Sequence, residues 1–328
     1  MSEENGRQPM LTDRGRLWES RWASRDVFEY NKPLRPSSRL REWECYRVSN
    51  PRFTFQVYYG HGPGGGRVAV TLVDFDTGEK YVSGKRFRFP GDSLDLDFSP
   101  GEPHTLKYED DGLFLSISYD GAVRQVTVRS DRFDAELIFP DTGDAIAVAV
   151  PFGKYARFLY QYKKVFPEFS GHIHMHKLDY RLTEDTAAAL SSDRGVLPFS
   201  TSRIWAVGGF RTEDGYLALN LGEDFGPDEE ITENALFFNG KLQKLGKVYF
   251  KYREDDLRQP WRISDEQRRL HLEFYPTFDN YERIGYLGGE EKIHQLFGKI
   301  YGKVKLSDGA EYILENNHFV IEQAEERR

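Results

Sequence analysis

Short turn signals divide almost the whole chain into runs of aromatic and β-branched residues. An Asn-Gly or Asp-Gly pair tolerates the positive φ angle of a tight hairpin turn, so each pair between two such runs predicts a β-hairpin. The pairs are Asp111-Gly112, Asp120-Gly121, Asp214-Gly215, Asn239-Gly240 and Asp308-Gly309. The chain is therefore predicted to be mainly β and built from antiparallel meanders.

The runs between the turns alternate apolar and polar residues. Leu113, Leu115 and Ile117 alternate with Ser116 and Ser118. Successive side chains of a strand point to opposite faces, so this pattern is typical of a strand with one buried face.

Helical patterns are few, and the best candidates are residues 17–22 and 183–190. About seven or eight strands in each half predict two barrels or sandwiches in series. The boundary is placed after a Tyr/Phe-rich run, which gives an N-terminal β-barrel domain over residues 1–165 and a C-terminal one over residues 166–328. A single large closed β domain is the alternative.

Composition argues against several classes of function. The chain carries 45 Lys and Arg against 53 Asp and Glu, a net charge of −8, whereas a nucleic-acid binder needs an excess of cations. Its most apolar stretch, residues 145–150, is far too short to span a membrane. The single cysteine, Cys45, excludes an intrachain disulfide, and no secretory signal is found, so we predict a cytoplasmic protein.

Several short motifs occur together in a fixed order. They are YNKP at 30–33, LREWECY at 40–46, DRGVLPF at 193–199, LNLG at 219–222, TENA at 232–235, FNGK at 238–241, PWRI at 260–263 and HQLFGKIYG at 294–302. In this order and spacing the chain resembles the uncharacterised family catalogued as domain of unknown function 2804, over residues 15–322. That family tends to carry a Trp-x-Trp pair where this chain has Arg203 and Trp205.

The chain is similar, more remotely, to tandem lipocalin-like (calycin) proteins such as carotenoid hydratases, tocopherol cyclase and pericyclase-type enzymes. That resemblance implies two antiparallel lipocalin-like β-barrels in tandem with few short helices. It also implies a small apolar or amphipathic ligand, bound in a barrel or between barrels, that the protein isomerises, hydrates or cyclises. Likeness of fold does not establish a reaction, so the sequence leaves enzymatic activity open.

Two residues are candidates for proton transfer. The alternation of the strand around 294–306 puts His294 on the same face as Leu296 and Ile300, and an inward histidine can move a proton near neutral pH. Glu233 begins a strand, where burial would raise the pKa of its carboxyl group into the range of a general acid or base. The alternatives are a hydrogen-bonded core histidine and a carboxylate that satisfies backbone groups.

Seven further residues are candidates for ligand contact. A guanidinium can clamp an anion, an amide can polarise a carbonyl group, and an indole ring can form the wall of an apolar pocket. On these grounds the predicted ligand-binding residues are Trp43, Arg194, Trp205, Asn220, Asn234, Trp261 and Gln295. The alternative for each is a structural role in a turn or in the core.

Three histidines alternate in the segment GHIHMH at 171–176. Neighbours on one face of a strand lie about 6.6 Å apart, so His172 and His174 could share a metal ion. The pattern favours no metal, and His172 and His174 are the candidates if one binds. No cofactor is predicted, and the predicted partner is a small molecule.

A carbohydrate-active enzyme or glycan-binding module is the alternative function. It would use aromatic side chains as platforms and a carboxylate pair drawn from Glu223, Asp224, Glu233 and Glu273. A closed apolar cavity would favour the first hypothesis, and an open groove floored by aromatic rings would favour the second.

Overall fold

The computed structural model describes residues 7–32, 39–88, 94–152, 157–198, 200–223, 230–286 and 288–327. Within these ranges the chain forms 25 strands and no α-helix, which confirms the predicted all-β class. None of its described segments is a helix with the length and apolar character needed to cross a membrane.

Two antiparallel sheets contain most strands of the first 196 residues. The eight-stranded sheet has the order β2 (Arg21–Ala23), β12 (Ile146–Pro151), β13 (Phe158–Phe166), β16 (Ala187–Val196), β4 (Leu40–Ser49), β5 (Phe53–Gly62), β6 (Gly65–Asp74) and β7 (Glu79–Phe87). The six-stranded sheet has the order β15 (Leu178–Asp179), β14 (Ser170–Met175), β11 (Phe133–Pro140), β10 (Val123–Ser130), β9 (Leu113–Tyr119) and β8 (His104–Glu109). Two short strands, β1 (Gln8–Pro9) and β3 (Phe28–Glu29), pair in parallel beside them.

The rest of the chain forms one antiparallel sheet of nine strands. Its order is β20 (Lys241–Lys244), β19 (Ala235–Phe238), β18 (Gly215–Glu223), β17 (Ser200–Thr212), β25 (Glu311–Arg327), β24 (Gly289–Lys305), β23 (Leu270–Tyr286), β22 (Trp261–Asp265) and β21 (Val248–Lys251). The sheet curls until β21 contacts β18, but no described ladder joins those two strands. The described strands therefore close neither of the two predicted barrels.

The predicted hairpins are confirmed. Each of the five Asp-Gly or Asn-Gly pairs connects two neighbouring antiparallel strands. At the β19–β20 turn both central residues have positive φ, 50° at Asn239 and 76° at Gly240. This is the combination that a type I′ turn requires.

The two predicted short helices are not observed. Residues 187–190 begin β16, which pairs with β13 on one side and β4 on the other. Ladder hydrogen bonds and burial between two sheets override the helix preference of this alanine-rich run. In the segment 17–22, Arg21 and Trp22 belong to β2.

Sheet membership changes between Val196 and Ser200, whereas the predicted domain boundary lies at 165/166. β14 and β15 extend the six-stranded sheet, and β16 lies inside the eight-stranded sheet. The turn after Phe166 passes the chain from one of these sheets to the other. A turn signal in the sequence does not distinguish such a crossing from a domain boundary.

The eight-stranded sheet is the middle of three layers. One of its faces packs on the six-stranded sheet, for example through Phe55 and Phe133, whose ring centroids lie 5.9 Å apart. Its other face packs on the nine-stranded sheet through a core that includes Val148 and Phe297. The nine-stranded sheet curls around a third core, which contains Trp261.

We expect Trp261 to be essential for stability. Its side chain is fully buried and stacks on Tyr252 with ring centroids 3.9 Å apart. Because Trp261→Ala leaves a large cavity, it should lower the free energy of unfolding by about 3–5 kcal/mol. Trp18 is 66% exposed, so Trp18→Ala is the control and should change that free energy by less than about 0.5 kcal/mol. Denaturant titration measures both changes, and equal losses would contradict the placement of Trp261.

Candidate functional site

A cavity of about 450 Å³ lies between the eight-stranded and nine-stranded sheets. The first sheet lines it with β4, β5, β6, β7, β13 and β16, and the second with β17, β23, β24 and β25. The β5–β6 and β23–β24 turns approach each other there, and a Cβ atom on Gly64 would lie 3.3 Å from Cδ1 of Tyr286. This volume accommodates a small organic molecule.

Strand alternation places every second residue of two segments, 41–47 of β4 and 291–295 of β24, in the wall of the cavity. These residues are Arg41, Trp43, Cys45 and Arg47 on β4, and Glu291, Ile293 and Gln295 on β24. Their neighbours along each strand point to the opposite face. The same alternation on β16 brings Ser191 and Asp193 to the cavity.

Two tryptophans, Trp43 and Trp205, form the aromatic part of the wall. The indole Nε1 of Trp205 donates a hydrogen bond to Oδ1 of Asn220 at 2.8 Å, which fixes the ring. Cationic groups of Lys163 and Arg47 flank that ring, 5.0 and 5.2 Å from its centroid. The wall thus combines flat apolar surface with nearby positive charge.

Ion pairs line the cavity and link the two sheets. Arg41 and Arg203 bind Glu291 at 3.1 and 2.8 Å, and Arg47 binds Glu322 at 2.9 Å. Among the described lining residues there are seven Lys and Arg side chains and four carboxylates, an excess of three positive charges. The lining side chains thus carry more positive than negative charge, although the whole chain has a net charge of −8.

Several guanidinium N–H groups in this wall are buried without a partner. Nε and Nη1 of Arg47, Nη1 of Arg203 and Nε of Arg41 make no hydrogen bond to any described residue. A buried donor without a partner costs free energy, and an anionic oxygen is its strongest acceptor. These donors make the cavity suitable for a ligand with a carboxylate, sulfonate or phosphate group.

A buried ion pair lies in the same wall. Lys163 Nζ donates hydrogen bonds to Asp193 Oδ2 at 2.7 Å and to Ser191 Oγ at 2.6 Å. The other oxygen of Asp193, Oδ1, is buried and has no hydrogen-bond partner among the described residues. Burial raises the pKa of the Asp193 carboxyl group above its usual value, and the Lys163 ammonium offsets part of that rise.

Glu233 lies behind the wall, with Oε2 3.9 Å from Lys163 Nζ. Burial raises the pKa of its carboxyl group to about 7, although Lys163 opposes the rise. The carboxylate accepts no hydrogen bond of ordinary geometry from the described residues. Its approach to the backbone requires glycine at position 222, because a Cβ atom on Gly222 would lie 2.3 Å from Glu233 Oε1. A carboxyl group with a pKa of about 7 can hold or release a proton near neutral pH.

Three of the predicted ligand-binding residues, Trp43, Trp205 and Gln295, line this cavity. Gln295 Nε2 donates to Gln56 Oε1 at 3.1 Å and to Glu322 Oε2 at 2.9 Å. Gln295 thus joins the polar network between the two sheets.

The two predicted asparagines support the backbone around Glu233. Asn220 Nδ2 donates to the carbonyl oxygen of Glu233 at 2.9 Å. Asn234 Oδ1 accepts from the N–H of Gly222 at 2.6 Å, and its Nδ2 donates to the carbonyl oxygen of Gly246 at 3.1 Å. Both asparagines are fully buried outside the cavity lining.

Arg194 and Trp261 also lie outside the cavity lining. Successive residues of a strand point to opposite faces, so Arg194 points away from the cavity that Asp193 faces, toward the core between the eight-stranded and six-stranded sheets. There its Nη1 donates to the carbonyl oxygen of Trp43 at 2.9 Å. Trp261 Nε1 donates to the carbonyl oxygen of Leu257 at 2.9 Å within the core of the nine-stranded sheet.

His294 lies on the opposite face of the nine-stranded sheet from the cavity. Its strand neighbours Ile293 and Gln295 line the cavity, whereas His294 does not. Its Nδ1 lies 2.9 Å from Asp279 Oδ2, and 29% of its side chain is exposed. His294 and Glu233 are thus not brought into one site.

His172 and His174 lie on β14 of the six-stranded sheet, none of whose residues lines the cavity. Together with Asp134 they offer ligand atoms within 4.8 Å of one another. Of the described residues, these three could hold a metal ion.

Four residues of the cavity wall were not predicted from the sequence as site residues, namely Lys163, Asp193, Arg47 and Arg203. A partial signal exists for Lys163, because it lies within the aromatic-rich run FLYQYKKVF, and every residue of that run is buried in the structure. A charge in such a strand must find a buried partner, which marks it as a structural or functional centre. The residues around Lys163 in the sequence do not show which residue that partner is.

Solved structures with a similar fold include one of CghA with Sch210972, with a TM-score of 0.54, 11% identity, and coverage of 97% of this chain and 96% of that chain. Another is kievitone hydratase from Nectria haematococca, with a TM-score of 0.50, 11% identity and 88% of each chain covered. At this identity the likeness concerns the fold alone. No curated protein matches the chain. A family model matches residues 2–327, so the chain belongs to the family described as Domain of unknown function (DUF2804).

Proposed function

We propose that this protein binds a small amphipathic molecule with an anionic group in the cavity between the two sheets and catalyses proton transfer on it. The outcome is an addition or loss of water, an isomerisation or a cyclisation, and Asp193 takes and returns the proton. The observation that carries this proposal is that Asp193, which lines a cavity of about 450 Å³, has a buried Oδ1 with no hydrogen-bond partner among the described residues.

The cavity walls favour a ligand of mixed character. Trp43, Trp205 and Ile293 offer apolar surface, and Arg47 and Arg203 offer N–H donors that no described residue satisfies. A pure hydrocarbon would leave those donors buried and unpaired, which would weaken its binding. A carboxylate or phosphate group on an apolar skeleton satisfies both features.

Asp193 is positioned to exchange a proton with such a ligand. Lys163 holds Oδ2, which fixes the side chain, and Oδ1 has no hydrogen-bond partner among the described residues. Oδ1 accepts a proton from the ligand or from a water molecule, and its return to another atom of the ligand completes the reaction without redox change. Glu233 shares the Lys163 ammonium with Asp193, and its pKa near 7 lets it store one proton behind the site.

The fold likeness supports a small-molecule role. CghA was crystallised with Sch210972, and kievitone hydratase is named for a hydration. We carry over from them only the idea that this layered β fold holds and modifies small molecules. The lipocalin-like classification and the cytoplasmic location remain part of the proposal, the latter because the single cysteine, Cys45, is free and buried.

The glycan alternative gains no specific support. Glu233 is buried behind the cavity wall, whereas 47% of the Glu273 side chain is exposed. Glu223 accepts a hydrogen bond from the backbone N–H of Phe250 at 3.4 Å, and Asp224 lies outside the described residues. A glycosidase needs two carboxyl groups that flank one cleft, and the described candidates occupy different surroundings.

Water addition or loss can be detected before the ligand is known. We expect the purified protein, incubated in H₂¹⁸O with a small-molecule extract of its source cells, to produce a species heavier by one labelled water or lighter by one water. Incubation in D₂O detects isomerisation or cyclisation as deuterium gained on carbon. Because Asp193→Asn removes the base, the rate should fall by about 100-fold or more. Mass spectrometry of the mixture measures both.

The matched control is Asp214→Asn, which removes a carboxylate from an exposed turn. It should leave the rate unchanged. Turnover by Asp193→Asn at the wild-type rate would refute the role of Asp193. If no extract yields a product and native mass spectrometry finds no retained ligand, the proposed function is wrong.

The cavity should prefer an anionic ligand over a neutral one of the same shape. Two fluorescent probes test this, 8-anilinonaphthalene-1-sulfonate and its uncharged parent N-phenyl-1-naphthylamine. Arg203→Met removes an unpartnered donor but leaves Glu291 paired with Arg41. It should weaken binding of the sulfonate about tenfold, the effect of losing one charge-assisted hydrogen bond, and barely affect the neutral probe. Equal loss for both probes would contradict an anion site.

Glu233→Gln should stabilise the protein in a pH-dependent way. The folded-state pKa of Glu233 is raised from 4.5 to about 7, so the folded state binds more protons than the unfolded state between those values. The wild type therefore loses stability as pH rises from 4.5 through 7 and stays destabilised above that range, by on the order of 3 kcal/mol. The variant avoids this loss. Denaturant titration from pH 4 to 8 measures the difference, and a difference independent of pH would refute the raised pKa.

A further inference from the structure

A cluster of imidazole and carboxylate groups lies on the six-stranded sheet, on strands that do not line the cavity. His172 and His174 alternate along β14, and Asp134 on β11 lies directly opposite His174 in the antiparallel register. Asp179 on β15 pairs with His174 from the other side. All four side chains are exposed by at least 40%.

The ligand atoms of this cluster are already close together. Those of Asp134, His172 and His174 lie within 4.8 Å of one another. His172 Nε2 is 3.7 Å from Asp134 Oδ1, and His174 Nε2 is 3.8 Å from Asp179 Oδ1. The two imidazole ring centroids are 4.9 Å apart.

Side-chain rotation can bring these separations to the values that a metal ion needs. With ligand bonds of about 2.0–2.2 Å, two ligands of a tetrahedral ion lie about 3.4 Å apart. The ligand atoms of Asp134, His172 and His174, which lie within 4.8 Å of one another, must therefore approach by at most about 1.4 Å. Exposed side chains on a paired sheet can turn about χ1 and χ2 by this amount, while the ladder fixes their Cα atoms. Nitrogen and carboxylate ligands together suit zinc and its transition-metal neighbours rather than calcium or magnesium.

We infer that His172, His174 and Asp134 form a binding site for a divalent transition-metal ion of the zinc class, with Asp179 as the fourth ligand. The ion ties β11, β14 and the two-residue edge strand β15 together. It stabilises this edge of the sheet and takes no part in the reaction proposed for the cavity.

Isothermal titration of the untagged full chain with Zn²⁺ tests the site. We expect saturable binding of one ion per chain and a rise in the unfolding temperature as Zn²⁺ is added. His174→Gln or Asp134→Asn should weaken binding by at least about tenfold. Titration with Co²⁺ should give a visible absorption band that disappears in the same variants.

The matched control is His176, the third histidine of the segment, which has a positive φ of 53° in the turn after β14. His176→Asn keeps a residue type that tolerates this conformation and should leave Zn²⁺ binding unchanged. The inference is overturned if the wild type shows no saturable binding, or if the double variant His172→Gln/His174→Gln binds Zn²⁺ as tightly as the wild type. It is also overturned if His176→Asn weakens binding as much as His174→Gln.

Discussion

The middle sheet of this protein is covered on both faces, and the rest of the structure depends on that constraint. The central strands of this layer, β4, β13 and β16, have no side that faces water, so a charged residue within them is buried whichever way it points. Arg194 points toward the six-stranded sheet, whereas Lys163, Asp193 and Arg47 point toward the nine-stranded sheet. A buried charge costs several kcal/mol unless it is paired and hydrogen-bonded. Pairs such as Arg47 with Glu322 therefore link the two halves of the chain through their charges as well as through their apolar core.

The pairing in that interface is incomplete, and the gaps give the cavity its chemical character. Arg47 and Arg203 keep N–H donors without partners among the described residues, and Asp193 keeps a free oxygen. Residues that served stability alone would be expected to saturate one another or to be replaced by apolar side chains. Unsatisfied groups around a space of ligand size are instead the usual arrangement of a site that completes its hydrogen bonds when a ligand arrives.

A line of supporting contacts runs from the cavity wall into the nine-stranded sheet. The indole N–H of Trp205 donates a hydrogen bond to the side chain of Asn220, which in turn donates one to the backbone carbonyl oxygen of Glu233. The carboxylate of Glu233 lies beside the Lys163 ammonium. The sequence singled out Trp205, Asn220 and Glu233 separately, for different reasons. In the structure they form one supporting set, and Lys163, which lies beside both Trp205 and Glu233, faces the cavity with Asp193.

The sequence by itself determined the β class, the position of the hairpin turns and the two faces of each strand, because turn chemistry and side-chain alternation are local properties. It also determined the family, since the motifs keep their order along the chain. It could not determine which face of a strand would meet a second sheet, and His294 lies on the face away from the cavity while its neighbour Gln295 lines it. The tertiary structure alone decided that the eight-stranded sheet lies in the middle and that Lys163 meets Asp193 there. Those contacts join residues far apart in the chain, and no local pattern specifies the partner of a buried charge.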